Sequence, residues 1–412
     1  KNRKTPKTDL PMNHQEPHNK RLLSDSTSIG DKMCLCCPPA ISALFCLWFR
    51  NGCSKASVAG ALTFFPPNPP LYQFECVPTT NDGDKDEEEK EDEEVETSNK
   101  KSNNKSSDTN PKSNNKNSIY ALSERQRSLT QSAKVKFSVD KQNALKGVTY
   151  KYVVPSSVCS ARFLPCIEQM EALKLYNKKS KSYIATVIYR YSSTTSTSSS
   201  KKPMTLIYSH GNATDIGGMS FLHCYLAQAL KLNVVMYDYS GYGESGGTPL
   251  EGNTYTDIET VFSYVLEHVA DGDSRSIILY GQSVGSGPSC YLASRKPVGG
   301  LILHSPFTSG MRVLTPSRAL ACLDIFPNID RVKMVSCPVM IIHGVLDQEV
   351  NHAHGVALYN NIPKEFRREP WWVPDRGHND ICEGQAHMTQ YIRRLKAFLE
   401  SLNHEVSSNT KP

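Results

Sequence analysis

The chain has 412 residues, 38% of them hydrophobic, and a formal net charge of +6. That is enough for one large domain or two modest ones with a sizeable core. The charge comes from mixed-sign blocks and no nucleic-acid module accompanies it, so the composition makes no case for nucleic-acid binding.

The sequence opens at Lys1 and reads as a fragment or a processed chain. Residues 1–32 are polar and read as a disordered extension. Residues 33–78 form a leader, and five of the thirteen cysteines cluster between Cys34 and Cys53: Cys34, Cys36, Cys37, Cys46 and Cys53. An odd total clustered at one end does not read as a secreted disulfide framework. Zinc fits poorly, because the cluster has no histidine and Cys36 and Cys37 are adjacent. The apolar run Ala40–Phe49 is too short to span a bilayer. It lacks the flanks of a signal peptide. Cysteines among leucines and aromatics suit S-acylation and a membrane-surface anchor. The alternative is a short buried segment with reduced thiols. The leader ends in "ALTFFPPNPPLYQF", which cannot be one regular helix.

Residues 79–118 hold "DGDKDEEEKEDEEVE" and an Asn/Lys/Ser run, with almost nothing to bury, and read as a disordered, solvated insertion. Residues 119–402 read as the folded domain, with a Ser-rich loop at 192–202 and a disordered tail at 403–412. "YKYVV" and "YIATVIYRY" are expected as antiparallel edge strands. From residue 203, short apolar runs recur: "MTLIYSH", "LNVVMYDY", "SIILYG", "GLILHS", "PVMIIHG" and "PWWVP". Helical spacing separates them at Met219–Leu230 and Tyr255–His268, and "MTQYIRRLKAFLESL" is the expected final helix. Near-continuous apolar strands alternating with helices predict a mostly parallel central sheet with helices on both faces. In such sheets functional groups gather at the carboxyl ends of strands.

"ILYGQSVGSGP" places a serine on a sharp corner. "GQSVG" matches G-x-S-x-G, the nucleophile elbow of the α/β-hydrolase fold. A second copy, "GESGG", centres on Ser245. Context favours Ser283, which follows a strand directly and precedes the helix "PSCYLASR", whose proline suits a first turn. Ser245 lies in a loop several residues past its strand. A serine needs a base, and the base an orienting acid, here in the order serine, acid, histidine. Asp347 follows "MIIHG", with Glu349 as its rival. His378 lies in a glycine-flanked loop after the last strand. His210, His304, His343, His352, His354 and His387 are the other candidates; the first three sit at strand ends and read as structural imidazoles. For the oxyanion, the expected N–H donors are those of Val284 and Asn212, the latter in the His-Gly turn of "LIYSHGNATDIGGM".

The stretches "SHGNATDIGGM", "YDYSGYGESGG", "SIILYGQSVGSGP", "LILHSPFTSGMRV", "DIFPNIDRV", "IIHGVLDQEV" and "GHNDI" together resemble the alpha/beta hydrolase domain-containing protein 17 family. The resemblance runs over roughly residues 203–400, and "CLCCPP" with "LTFFPPNPPLY" is similar to that family's acylated leader. It implies a membrane-anchored palmitoyl-protein thioesterase, with Ser283 as nucleophile, Asp347 as acid and His378 as base, and with no metal or organic cofactor. It also implies S-palmitoylated membrane proteins as partners, Ras-type small GTPases and synaptic scaffolds among them. The expected place is the cytosolic face of the plasma and endosomal membranes. The two insertions and the extension before Met33 depart from the family pattern. Residues 306–336 are placed to cap the site, as an acyl groove or as a purely structural cover. A lipid or lysophospholipid esterase with the same triad, or a non-catalytic membrane scaffold, are the other readings.

Overall fold

The computed structural model describes residues 54–78, 148–158, 161–192, 202–314 and 324–408. Cys34, Cys36, Cys37, Cys46 and Cys53, the insertion at 79–118, nearly all of the Ser-rich loop and the middle of the expected cap lie outside them.

Among the described residues ten strands form one sheet: β1 (Gln73–Pro78), β2 (Val148–Val153), β3 (Glu171–Asn177), β4 (Ser182–Tyr189), β5 (Thr205–Ser209), β6 (Asn233–Tyr237), β7 (Ile277–Gln282), β8 (Gly300–His304), β9 (Val339–Gly344) and β10 (Trp371–Val373). Their order is β1-β2-β3-β4-β6-β5-β7-β8-β9-β10. Strands β1 to β4 pair antiparallel, and β4 joins β6 antiparallel. From β6 to β10 every pairing is parallel. The expected edge strands are β2 and β4; β3 lies between them and β1 extends the edge beyond β2.

The parallel strands are apolar on both faces because both faces are covered. All five residues of β5, β6 and β8 are buried. Alternate residues point to opposite sides. Ile207, Val235, Leu279, Leu301 and Ile341 face one core with Ile258, Val261 and Val265 of α4 (Glu251–His268). Leu206, Val234, Ile278, Ile302 and Met340 face the other, with Cys224 and Ala227 of α3 (Ser220–Leu230) and Leu395 and Phe398 of α9 (Gln385–Ser408). The expected helix at Tyr255–His268 begins four residues earlier, at Glu251. That glutamate belongs in a helix first turn, where its charge meets the dipole.

The second half of the leader is part of this body. Helix α1 (Lys55–Thr63) is capped by Ser54, whose side chain accepts from the Ser57 N–H. The chain then runs without regular structure into β1. Phe64 is buried edge-on between Tyr242 and Phe326, at 6.3 and 6.0 Å between ring centres. Burying such a ring is worth about 2–3 kcal/mol. The Leu71 N–H donates to Asp215 Oδ2 at 2.7 Å, and the Tyr72 hydroxyl to Asp238 Oδ2 at 2.5 Å. The domain boundary expected at residue 78 is therefore not a boundary in the fold: β1 pairs with β2 along its whole length.

Candidate active site

Strand β7 ends at Gln282 and the chain turns at once into a short 3-10 turn, Ser283–Gly285, and then α5 (Ser286–Ala293). Ser283 sits at the turn with φ +49°. That left-handed conformation is costly for a residue with a Cβ. The flanking glycines are required by contact. A Cβ on Gly281 would lie 2.5 Å from the Gly285 carbonyl oxygen, and one on Gly285 would lie 2.1 Å from that of Ser209. The elbow thus needs small residues on both sides for β7, α5 and β5 to meet.

His378 Nε2 lies 3.0 Å from Ser283 Oγ, and His378 Nδ1 lies 2.7 Å from Asp347 Oδ2. With a carboxylate at Nδ1, that nitrogen carries the proton and Nε2 accepts from the serine hydroxyl. The three residues come from the loops after β7, β9 and β10. Gly344 lets the last two loops close, since a Cβ there would meet the Gly377 carbonyl oxygen at 2.1 Å.

Asp347 is buried. Burial raises its pKa, but hydrogen bonds from His343 and His378 and from the Val350 N–H outweigh that, so the carboxyl is held well below the usual range. The N–H groups of Glu349 and Val350 donate to its other oxygen at 3.0 and 2.7 Å. Glu349, the rival acid, instead accepts from Asn379 Nδ2 at 2.8 Å.

Ser245 is a structural hydroxyl: it accepts from the Ala185 N–H at 2.8 Å and donates to the Asp238 carbonyl at 2.9 Å. His304 Nδ1 meets the Tyr280 hydroxyl at 2.6 Å, and burial pushes its pKa down to about 3. His210 Nδ1 is 2.7 Å from the Gly211 carbonyl oxygen. His354 meets Thr308, and His387 lies between Arg376 and Asp375. His343 is buried and structural as expected, but it also touches Asp347, with Nε2 3.2 Å from Oδ2. Its contact with the acid has no sequence signal beyond a spacing of four residues.

The Val284 side chain is buried behind the elbow. The loop after β5 comes beside it: a Cβ built on Gly211 would stand 3.9 Å from Ser283 Cβ. Asn212 is the next residue in that loop, as Val284 is the next after the serine. Among the described residues no group of three His, Cys, Asp or Glu could hold a metal, and no helix is long and apolar enough to cross a membrane.

The sheet order, the covered faces and the strand–serine–helix corner are those of the α/β-hydrolase fold of the serine-hydrolase type. A family model described as "Serine aminopeptidase, S33" matches residues 200–329. The chain resembles the alpha/beta hydrolase domain-containing protein 17 family. It is 43% identical over 196 residues to human "Alpha/beta hydrolase domain-containing protein 17B", covering 47% of this chain and 66% of that one. With human protein 17C the identity is 42% over 206 residues, 50% of this chain and 60% of the relative. With "Alpha/beta hydrolase domain-containing protein aho-3" of Caenorhabditis elegans it is 45% over 197 residues, 48% and 57%. The matches thus span between 57% and 66% of these relatives' lengths. Among solved structures, the Pyrococcus furiosus esterase Pf2001 aligns with a TM-score of 0.46 at 17% identity, over 56% of this chain and 92% of that one.

Proposed function

We propose that the chain is a serine hydrolase that removes long acyl groups from S-acylated cysteines of membrane-associated proteins. The observation that carries the reading is the continuous line Ser283–His378–Asp347, with Ser283 raised on the elbow. The resemblance to the protein 17 family supports the substrate class. So do the exposed apolar side chains of Val345 and Leu346, which immediately precede Asp347.

His378 Nε2 takes the Ser283 proton as Oγ attacks the thioester carbonyl carbon. The new O–C bond forms and the carbonyl oxygen takes the negative charge, facing the N–H groups of Val284 and Asn212. Collapse breaks the C–S bond, and the proton on His378 passes to the cysteine sulfur. Water then attacks the acyl-serine with His378 again as base, freeing the fatty acid and restoring Ser283. Asp347 stays ionised and stabilises the imidazolium throughout. In this reading S-acylation of the leader cysteines keeps the enzyme on the cytosolic face of plasma and endosomal membranes, where palmitoylated proteins reside.

The test is hydrolysis of a defined S-palmitoyl peptide by the purified chain, followed by mass spectrometry, beside an oxyester and a lysophospholipid. Faster thioester cleavage that disappears in Ser283→Ala is the expected result. Cleavage of the lysophospholipid alone would make the chain a lipid esterase. No turnover, together with no fluorophosphonate labelling of Ser283, would leave only the scaffold reading.

A further inference from the structure

The Asn212 side chain is held by the leader rather than by its own loop alone. Asn212 Oδ1 accepts from the Phe65 N–H at 3.0 Å, from the Tyr242 hydroxyl at 2.7 Å and from the Ala213 N–H at 3.0 Å. Asn212 Nδ2 donates to the Thr63 carbonyl at 2.6 Å. The Tyr242 hydroxyl also lies 3.1 Å from the Phe65 nitrogen. One amide side chain is therefore gripped on both its oxygen and its nitrogen by the backbone of residues 63–65, which lie nearly 150 positions away in the sequence. The grip falls in a turn whose next residue, Ala213, has φ +53°, a backbone conformation costly for a residue with a Cβ.

An asparagine with both polar ends fixed has its χ angles fixed, and its backbone cannot rotate without breaking those bonds. The backbone N–H of this residue is the one assigned to the oxyanion. We propose that the Thr63–Phe65 strap and Tyr242 are positioning elements of the active site. They lock Asn212 so that its N–H is already aimed when charge develops on the substrate oxygen. The proposal rests on the hydrolase reading above. Preorganised donors act on the transition state and little on the bound substrate. The strap should therefore appear in kcat and not in KM.

Two substitutions and one control separate this role from simple folding support. Tyr242→Phe keeps the ring that packs on Phe64 and removes the hydroxyl. Phe65→Pro removes the N–H. The preceding residue already has the extended ψ of 127° that a proline requires of its neighbour. Phe65→Ala keeps the N–H and loses only an exposed ring. On a short soluble p-nitrophenyl ester, Tyr242→Phe and Phe65→Pro should lower kcat by about ten- to hundred-fold with KM within about two-fold. Phe65→Pro should fall about ten-fold below Phe65→Ala. Affinity for an alkyl trifluoromethyl ketone, whose hemiketal oxygen occupies the oxyanion position, should fall in parallel with kcat. Affinity for the free fatty acid should hold. A rise in KM at constant kcat, unchanged trifluoromethyl ketone affinity, or equal effects of Phe65→Pro and Phe65→Ala would overturn the proposal. A wild-type chain that cleaves no ester would overturn the hydrolase reading and this inference with it. An active wild type whose Tyr242→Phe variant matches it would overturn this inference alone.

Discussion

His343 Nε2 lies 3.2 Å from Asp347 Oδ2 and 2.8 Å from the Val350 carbonyl oxygen. Both neighbours are acceptors, so Nε2 carries the proton and is shared between them. The carboxylate that orients His378 is thus itself held from behind by a second imidazole. Replacing His343 with leucine keeps the volume and removes the donor. We expect kcat to fall by about ten-fold, with smaller losses in His343→Gln, whose amide can still donate. Equal losses in the two variants would mean that His343 only fills space.

The two loop acids have different partners: Asp347 meets His378 and Glu349 meets Asn379. Asp347→Asn should lower kcat by about four orders of magnitude, because an amide favours the wrong imidazole tautomer. Glu349→Gln should stay within a few-fold, because Glu349 supports Asp347 through its backbone N–H and its side chain faces Asn379. Steady-state kinetics on the same ester compares them directly; a larger loss in Glu349→Gln would move the acid.

Ser283→Ala should abolish turnover, a loss of about 10⁶ in kcat. Ser283→Gly should be equally inactive yet more stable than Ser283→Ala by about 1 kcal/mol, because glycine adopts φ +49° freely. Ser245→Ala should do the opposite. It leaves a buried N–H on Ala185 without its acceptor, costing about 1–3 kcal/mol, while turnover per folded molecule is retained. Urea unfolding and active-site titration measure both sides.

Two buried carboxyls give stability opposite dependences on pH. Asp347 is depressed by its donors, so its contribution is complete above about pH 4 and lost only as pH falls further. Asp257 is raised to about 7, first by burial, against hydrogen bonds from Ser240 and Asn177 that lower it. The folded state keeps its proton where the unfolded state has lost it, so this group's contribution to stability declines as pH rises from about 4 to about 7 and is then level. Between pH 5 and 7.5 the loss should be on the order of 2–3 kcal/mol. Buried His304, held neutral, gains stability over the same range, so the comparison is between wild type and Asp257→Asn: in denaturant titrations their difference in stability should change by this amount between the two pH values. A stability difference between wild type and Asp257→Asn that stays the same at pH 5 and pH 7.5 would contradict the assignment.

Replacing Cys34, Cys36, Cys37, Cys46 and Cys53 with serine should release the protein from membranes, since stable anchoring takes two acyl chains or more. Turnover of a short soluble ester should persist, because the gripping residues 63–65 are untouched. Fractionation that leaves the five-serine variant fully membrane-bound would place the anchor elsewhere.

The parallel strands and the serine corner were legible because each apolar run ends at a small residue, and because Ser283 alone of the two G-x-S-x-G serines follows a strand directly. The order of Ser283, Asp347 and His378 then did the rest. Strand β3, "EALKLYN", escaped notice because Glu, Ala, Leu and Lys favour helices. Its extended form is imposed by pairing with β4 from Glu171 to Asn177, across a turn where Lys181 has φ +54°. Helix α1, "KASVAGALT", has no apolar stripe to announce it. The docking of the strap was illegible for a different reason. Its partners Asn212, Asp215 and Asp238 are polar residues in distant loops. No local periodicity records such bonds.

Pro78 and Val148 are register partners at the outer edge of the sheet. The chain between them, residues 79–147, therefore leaves and returns at one point. Closing such an excursion costs free energy only logarithmically in its length, about 0.6 kcal/mol per doubling. The β1–β2 junction is in consequence an entry port for foreign sequence. A fluorescent reporter, an affinity handle or a protease site could replace those residues, or a two-residue hairpin could close the gap. The loops that carry Ser283, Asp347 and His378 follow β7, β9 and β10, away from that edge in the sheet order.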